Sequence, residues 1–187
     1  MSYICHSGGC PGSDMKWENE GNKYGVKTIA YSFHTHTQYG QNRKILTVEE
    51  LNEGFEAVKI ASKGIKRSPN VRYSYVKNLL CRNWFQVKNA EAVFAVGKFI
   101  NDKLVSGGTG WAVQMSIDNK KPTYVFDQIN NTWFFFDYEH GIFFPYHTIP
   151  KLTEHFAGVG TREINDNGIV AIEKIFEYNF RGAGVIG

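Results

Sequence analysis

Three glycine-rich stretches carry most of the residues through which this chain could do chemistry. They are Ser7-Gly8-Gly9-Cys10-Pro11-Gly12-Ser13-Asp14, then Ser106-Gly107-Gly108-Thr109-Gly110-Trp111 with Gln114, and Ala157-Gly158-Val159-Gly160-Thr161-Arg162-Glu163. Each follows a short apolar run and precedes a segment with helical spacing. A helix that starts this way offers unpaired backbone N–H groups and the positive end of its dipole, which attract an anion. Glycine suits such a turn because a Cβ would intrude where backbone must approach a phosphate. A single turn of this kind is as readily a plain helix start, with Ser13 or Asp14 as N-cap of the first helix. Thr161 and Arg162 can both donate to a phosphate. Trp111 either covers a base or ribose or packs into the core, and Asp14 either bonds a ribose or caps its helix.

Other reactive side chains form weaker patterns. His34 and His36 alternate past a strand end, and His6 lies near the end of the first strand. No acid or thiol stands at a spacing that completes a zinc-like set, so no metal and no other cofactor is expected. Cys10 sits where a helix N-terminus could activate a thiol, but the sequence assigns it no histidine partner. Cys5, Cys10 and Cys81 make an odd count without zinc-like pairing. That predicts free thiols and a reducing, cytoplasmic setting.

The elements that must position these residues are legible from periodicity. Strands are predicted at 2–7, 26–33, 92–96, 122–127 and 155–159, and an aromatic hairpin at 132–137 and 142–147 around Tyr138-Glu139-His140-Gly141. Helices are predicted at about 15–22, from Thr47 onward with Glu50 completing a capping box, at 71–87, from Trp111, and at 166–178. The polar stretch 34–44 reads as a loop. Strands alternating with helices predict a doubly wound, Rossmann-like α/β sheet, mainly parallel, with the antiparallel hairpin added. Ligands in such sheets bind beyond the carboxyl ends of the strands, so the three turns should meet at one edge.

Composition sets the outer limits. The chain has 187 residues, 42% hydrophobic and 21% charged, which suits one folded domain without staples. The formal charge of +3 is diffuse, and its densest cluster is only Lys63, Lys66 and Arg67. Nucleic acid is therefore a possible but disfavoured partner. No run approaches the ~20 apolar residues of a spanning helix, so no membrane partner is expected. The hairpin's excess of aromatic residues, Trp133 to Phe136 with Phe143 and Phe144, suggests a packed face or a homodimer surface.

Taken together, the turns resemble the Rossmann-like SLOG superfamily. Its members include DprA-type DNA-processing proteins, YpsA-like proteins and LOG or lysine-decarboxylase-like phosphoribohydrolases. Ser7-Gly8-Gly9 with Gly12 and Asp14 is similar to that superfamily's SGG-x-x-GAD turn. Gly158-Val159-Gly160-Thr161-Arg162-Glu163 is similar to its G-x-G-S-R-E turn, and Ser106 to Gln114 to the P-G-G-x-G-T-x-x-E motif. The resemblance covers about half the chain and omits the segment from His34 to Asn89.

Two departures stand out. The G-x-G-S-R-type turn follows the SGG turn instead of preceding it, as a circular permutation would produce. The motif's glutamate is Gln114 here and its threonine is Trp111.

The resemblance implies binding of a phosphorylated nucleotide or nucleoside derivative, such as an ADP-ribose-like compound, by a sensor or sequestering protein. The alternatives are a phosphoribohydrolase, or N-glycosidase, and a DprA-like nucleic-acid binder. Ser7, Gly8, Gly9, Gly12, Ser13, Asp14, Ser106, Gly107, Gly108, Thr109, Gly110, Trp111, Gln114, Gly158, Gly160, Thr161 and Arg162 are the expected ligand-binding positions. Asp14, Gln114 and Glu163 are the candidates for catalysis.

Overall fold

A computed structural model describes residues 2–37 and 39–181. Strands β1 (Ile4–Ser7), β2 (Lys27–Ser32), β3 (Arg43–Ile45), β4 (Ala92–Gly97), β5 (Thr123–Asp127), β6 (Thr132–Asp137), β7 (Ile142–Tyr146) and β8 (His155–Gly160) form one sheet. Their order is β3-β2-β1-β8-β4-β5-β6-β7. Every pairing from β3 through to β5 is parallel, and β6 and β7 add antiparallel strands at the far edge. The fold is thus Rossmann-like and doubly wound, with the expected hairpin.

Among the described residues five helices flank the sheet: α1 (Ser13–Lys23), α2 (Val48–Ile65), α3 (Ser74–Lys88), α4 (Thr109–Asp118) and α5 (Asp166–Asn179). β4 explains why they lie on both faces. Its run AVFAVG is buried at every position, so side chains leave it alternately up and down into apolar surroundings. Val93 and Ala95 meet Val58, Leu80 and Ala112 from α2, α3 and α4. Ala92, Phe94 and Val96 meet Trp17 and Ile172 from α1 and α5. Fully burying a side chain such as Phe94 contributes roughly 1.5–3 kcal/mol.

The late strand β8 lies at the middle of the sheet, between β1 and β4, although it follows them in the chain. Its Gly158 serves packing. A Cβ there would lie 2.7 Å from the indole of Trp17, whose Nε1 donates to the Val159 carbonyl at 3.2 Å. Gly158→Ala is therefore expected to lower unfolding free energy by about 2 kcal/mol, the usual cost of overpacking. Chemical denaturation would read this as a lower midpoint at unchanged slope.

Two local expectations are corrected. The stretch 34–44, read as loop, contributes the start of the short edge strand β3, which pairs with β2 at Ala30, Tyr31 and Ser32. Neither Ser13 nor Asp14 caps α1. Gly12 holds the N-cap position at φ 92°, and both side chains are engaged elsewhere. The Thr47–Glu50 capping box of α2 forms as expected. The hairpin sends aromatic side chains into the cores on both faces of the sheet. Trp133, Phe136 and Phe143 are buried, and Phe144 is the exposed one at 43%.

Candidate functional site

The turns after β1, β4 and β8 converge on one cavity of about 450 Å³ beyond the carboxyl ends of these strands. Asp14, Ser106, Gly107, Gly108, Thr109, Gly160, Thr161, Arg162 and Glu163 line it. The three turns nevertheless differ in what they leave free.

The first turn is closed by its own side chains. Asp14, buried under the turn, accepts from the Cys10 N–H at 3.3 Å and from the Gly8 N–H. Burial pushes its carboxyl up to about 6, against the opposing pull of the Arg82 and Arg162 guanidiniums. Gly9 N donates to Ser7 Oγ at 3.3 Å, and Ser7 Oγ in turn donates to buried Glu18 at 2.8 Å. Burial raises the Glu18 carboxyl as well. The N–H groups expected to receive a ligand anion here already hold an internal carboxylate and a hydroxyl.

The third turn is joined to the first. Ser13 donates to the Thr161 carbonyl through N–H at 3.0 Å and Oγ at 2.8 Å. A Cβ on Gly12 would collide with the Arg162 backbone, and one on Gly160 would lie 2.6 Å from Ser13 Oγ. Gly12, Ser13 and Gly160 thus let two turns touch, and Arg162, Thr161 and Glu163 face the cavity from that junction. Gln128, wholly buried on the segment after β5, braces the turn by donating to the Glu163 carbonyl and accepting from Asn165 N–H, both at 2.9 Å.

The second turn is open. No side chain caps α4, and a Cβ on Gly107 or Gly108 would meet nothing within 4 Å. Gly107 needs its positive φ of 68° to turn the chain, and its carbonyl accepts from Arg67 Nη1 at 3.2 Å. Gly110 N–H and Trp111 N–H bond back to the Ser106 and Gly108 carbonyls at 3.3 and 3.1 Å, so the start of α4 offers the cavity its dipole and the N–H groups of the lining residues Gly108 and Thr109.

Downstream of this turn, three of the expected ligand-binding residues do not line the cavity. Gly110 packs against the Val105 backbone. Trp111, 4% exposed, belongs to the core beside Val113 and Met115. Gln114 points away from the cavity toward Gly64 of α2 and donates to Asp118 at 2.9 Å. On this helix the face one turn after the glycines packs on α2, so position 114 cannot meet a sugar in the cavity.

The opposite wall comes from α3, a helix outside the motif-bearing turns. It supplies Val76, Leu79, Leu80, Arg82, Asn83 and Gln86. Arg82, 6% exposed, donates from Nη1 to the Gly8 carbonyl and to Cys10 Sγ, the latter at 3.4 Å. Its Nε has no hydrogen-bond partner among the described residues, and neither has Nε2 of Gln86, which is 1% exposed. Buried donors left unpaired cost about 1–3 kcal/mol each unless something else accepts from them. The signal for this wall was present in the sequence. Arg82, Asn83 and Gln86 are polar residues that share one face of α3, with buried Leu80 and Phe85 on either flank of it.

Histidines 6 and 36 occupy separate places. His6 bonds Tyr31 and His155, whereas His36 meets Cys10 and Ser32. The group closest to a metal-binding set among the described residues is Asp137, Glu139 and His140 in the hairpin turn, none of which lines the cavity. There His140 Nδ1 already pairs with Asp137 at 2.8 Å. Also among the described residues, no helix is long and apolar enough to cross a membrane. No family model, curated protein or solved structure matches the chain.

Proposed function

We propose that the cavity binds a phosphorylated nucleotide or nucleoside derivative. The observation that carries this is that the open α4 N-terminus shares one cavity with Arg82 and Gln86, two buried residues whose Nε and Nε2 donors have no partner among the described residues. A phosphate fits the first, with Arg162 and Lys98 alongside. Ribose or base acceptors fit the second. Val76, Leu79, Leu80 and Ala112 offer an apolar wall for the flat face of a base.

A SLOG-like origin by circular permutation is part of the same proposal. β8, which leads into the G-x-G-T-R-E turn, pairs in parallel with β1, which leads into the SGG turn. The end of α5 packs near the start of β1, with the rings of Tyr3 and Phe180 4.9 Å apart. That proximity supports a rearranged chain order. A homodimer through β7, the outer strand that carries exposed Phe144, completes the proposal.

Because Gln114 lies outside the cavity, its lack of charge does not bear on catalysis. The carboxylates that do line it are Asp14 and Glu163. Asp14, raised to about 6, favours a second reading in which it protonates a departing base in a phosphoribohydrolase-type reaction.

Gly108→Ala separates the anion site from the fold. Gly108 has helical angles of −65° and −31° and open space at Cβ, so alanine costs the fold nothing and adds about 0.4–1 kcal/mol of stability. The added methyl stands where the phosphate would approach. Calorimetry with AMP and ADP-ribose is expected to show affinity falling roughly tenfold or more, a loss of about 1.4 kcal/mol. Unchanged affinity for both would exclude the α4 N-terminus as the phosphate site. Chromatography of the same mixtures reads base release, and turnover abolished by Asp14→Asn would favour the hydrolase.

A further inference from the structure

Of the three cysteines, Cys10 alone lines the cavity, whereas Cys5 and Cys81 lie in the cores on the two faces of the sheet. Three nitrogen groups surround its sulfur. His36 Nε2 stands 3.5 Å from Sγ, Arg82 Nη1 3.4 Å and Arg162 Nη2 3.8 Å. They come from the loop after β2, from α3 and from the turn after β8, so four segments of the fold meet at one thiol.

His36 is held for a specific exchange with that thiol. Its ring stacks on Phe33 with centroids 4.8 Å apart, and its Nδ1 lies 3.1 Å from Ser32 Oγ. Ser32 Oγ also accepts from Arg43 Nη2 at 3.2 Å, and its second lone pair is available to a protonated Nδ1. In that tautomer the Nε2 lone pair faces Cys10 Sγ. Burial, then Arg82, Arg162 and Arg43, lower the imidazole to about 4. An anion bound to Arg82 and Arg162 offsets part of their field, so His36 becomes a better base when the cavity is filled. The unpartnered Arg82 Nε, on the same guanidinium that touches Sγ, is an independent sign that a ligand with acceptor atoms belongs here.

We propose that Cys10 is a nucleophile for anionic electrophiles entering this cavity. Arg82 and Arg162 hold the anion, and His36 Nε2 takes the thiol proton. The sulfur bonds to the electrophilic carbon while the leaving group departs with the electron pair of the bond that breaks. The proton passes from His36 to solvent. The compounds that fit carry a carboxylate or phosphate one or two bonds from that carbon. This chemistry shares with nucleotide binding only the anion-holding role of the two arginines.

Iodoacetate and iodoacetamide, nearly equal in size and differing in charge, test it on the intact protein. Peptide mass spectrometry is expected to place the carboxymethyl group on Cys10. The rate with iodoacetate should be roughly fivefold higher than with iodoacetamide, the factor one unit charge at contact contributes even in water. Inorganic phosphate should compete. Arg162→Gln, at an exposed position that the fold tolerates, should remove most of the preference, and His36→Gln should slow both reagents alike. Faster reaction with iodoacetamide, or Cys10 labelled no faster than Cys5 and Cys81, would overturn the proposal. AMP binding without selective labelling defeats the nucleophile and spares nucleotide binding. Selective labelling that AMP and ADP-ribose do not slow does the reverse.

Discussion

Arg82→Gln is expected to abolish measurable nucleotide binding and to lower unfolding free energy by about 2–4 kcal/mol. Arg82 lies on α3 beneath the meeting point of the first and third turns, almost fully buried. Its Nη1 holds the Gly8 carbonyl and Cys10 Sγ, and its charge opposes the desolvation of the Asp14 carboxylate. A shorter neutral glutamine leaves that carbonyl unpaired and the buried carboxylate with less cationic support. Hydrogen bonds to charged groups contribute about 1.5–3 kcal/mol, and stranding a buried partner adds to the loss. The ligand loses the unpartnered Nε donor and one of the two guanidiniums close to Cys10. Those two losses together predict an affinity lower by roughly a hundredfold or more. Arg82→Lys divides the effects. It keeps the charge near Asp14, and so much of the stability, but lacks the planar fork and its Nε–H. Urea titrations and AMP calorimetry on the two variants check both halves. Wild-type affinity in Arg82→Gln would remove α3 from the site.

What could be foreseen here divides along physical lines. Strands and helices were legible because each depends on its own periodicity: the unbroken AVFAV run of β4, and the Thr47–Glu50 box that starts α2. The edge at which the turns meet followed from topology, since parallel strands all end on one side. The individual roles of the glycines did not follow. Gly158, Gly12 and Gly160 are small because Trp17, the Arg162 backbone and Ser13 approach them, and those are tertiary neighbours far away in sequence. The spacing left Trp111 open between ligand and core, and put Gln114 beside the sugar, because a motif supplies spacing along a helix and not its rotation about the axis. The polar face of α3 is readable in its spacing, but the turn it meets, like the His36–Cys10 contact, involves partners 26 to 74 residues apart, which no local pattern encodes. Edge strand β3 was hidden by its polar sequence, all three residues of which are exposed.

Acid should destabilise this protein well before its surface carboxylates titrate. His6 bonds Tyr31 OH through Nδ1 at 3.0 Å and His155 Nδ1 through Nε2 at 3.1 Å. Burial first, then the charges of His155 and Lys121, lower it to about 4. His36, enclosed by Cys10, Ser32, Phe33 and three arginines, is lowered to about 4 as well. In the unfolded chain both would titrate near 6.5. Between those limits the unfolded state takes up protons that the native state refuses, so stability is present above about 6.5 and is lost as pH falls toward 4. Asp14 works in the opposite sense. Raised to about 6, it takes up a proton in the native state that the unfolded chain does not bind until about 3.9, and raised Glu18 adds to this. Two histidines opposed mainly by one carboxyl leave a net uptake of about one proton on unfolding between pH 6 and 4. Allowing for solvent screening, stability is expected to fall by roughly 2–3 kcal/mol from pH 7 to pH 4.5. That is a substantial part of the 5–15 kcal/mol usual for a domain. Urea midpoints measured at half-unit steps of pH give the slope directly. Asp14→Asn removes the opposing proton, so its slope should steepen, whereas His36→Gln should make it shallower by about one proton. Stability that stays level or rises as pH falls from 6.5 to 4.5 would show that solvent reaches these rings and that neither is held neutral.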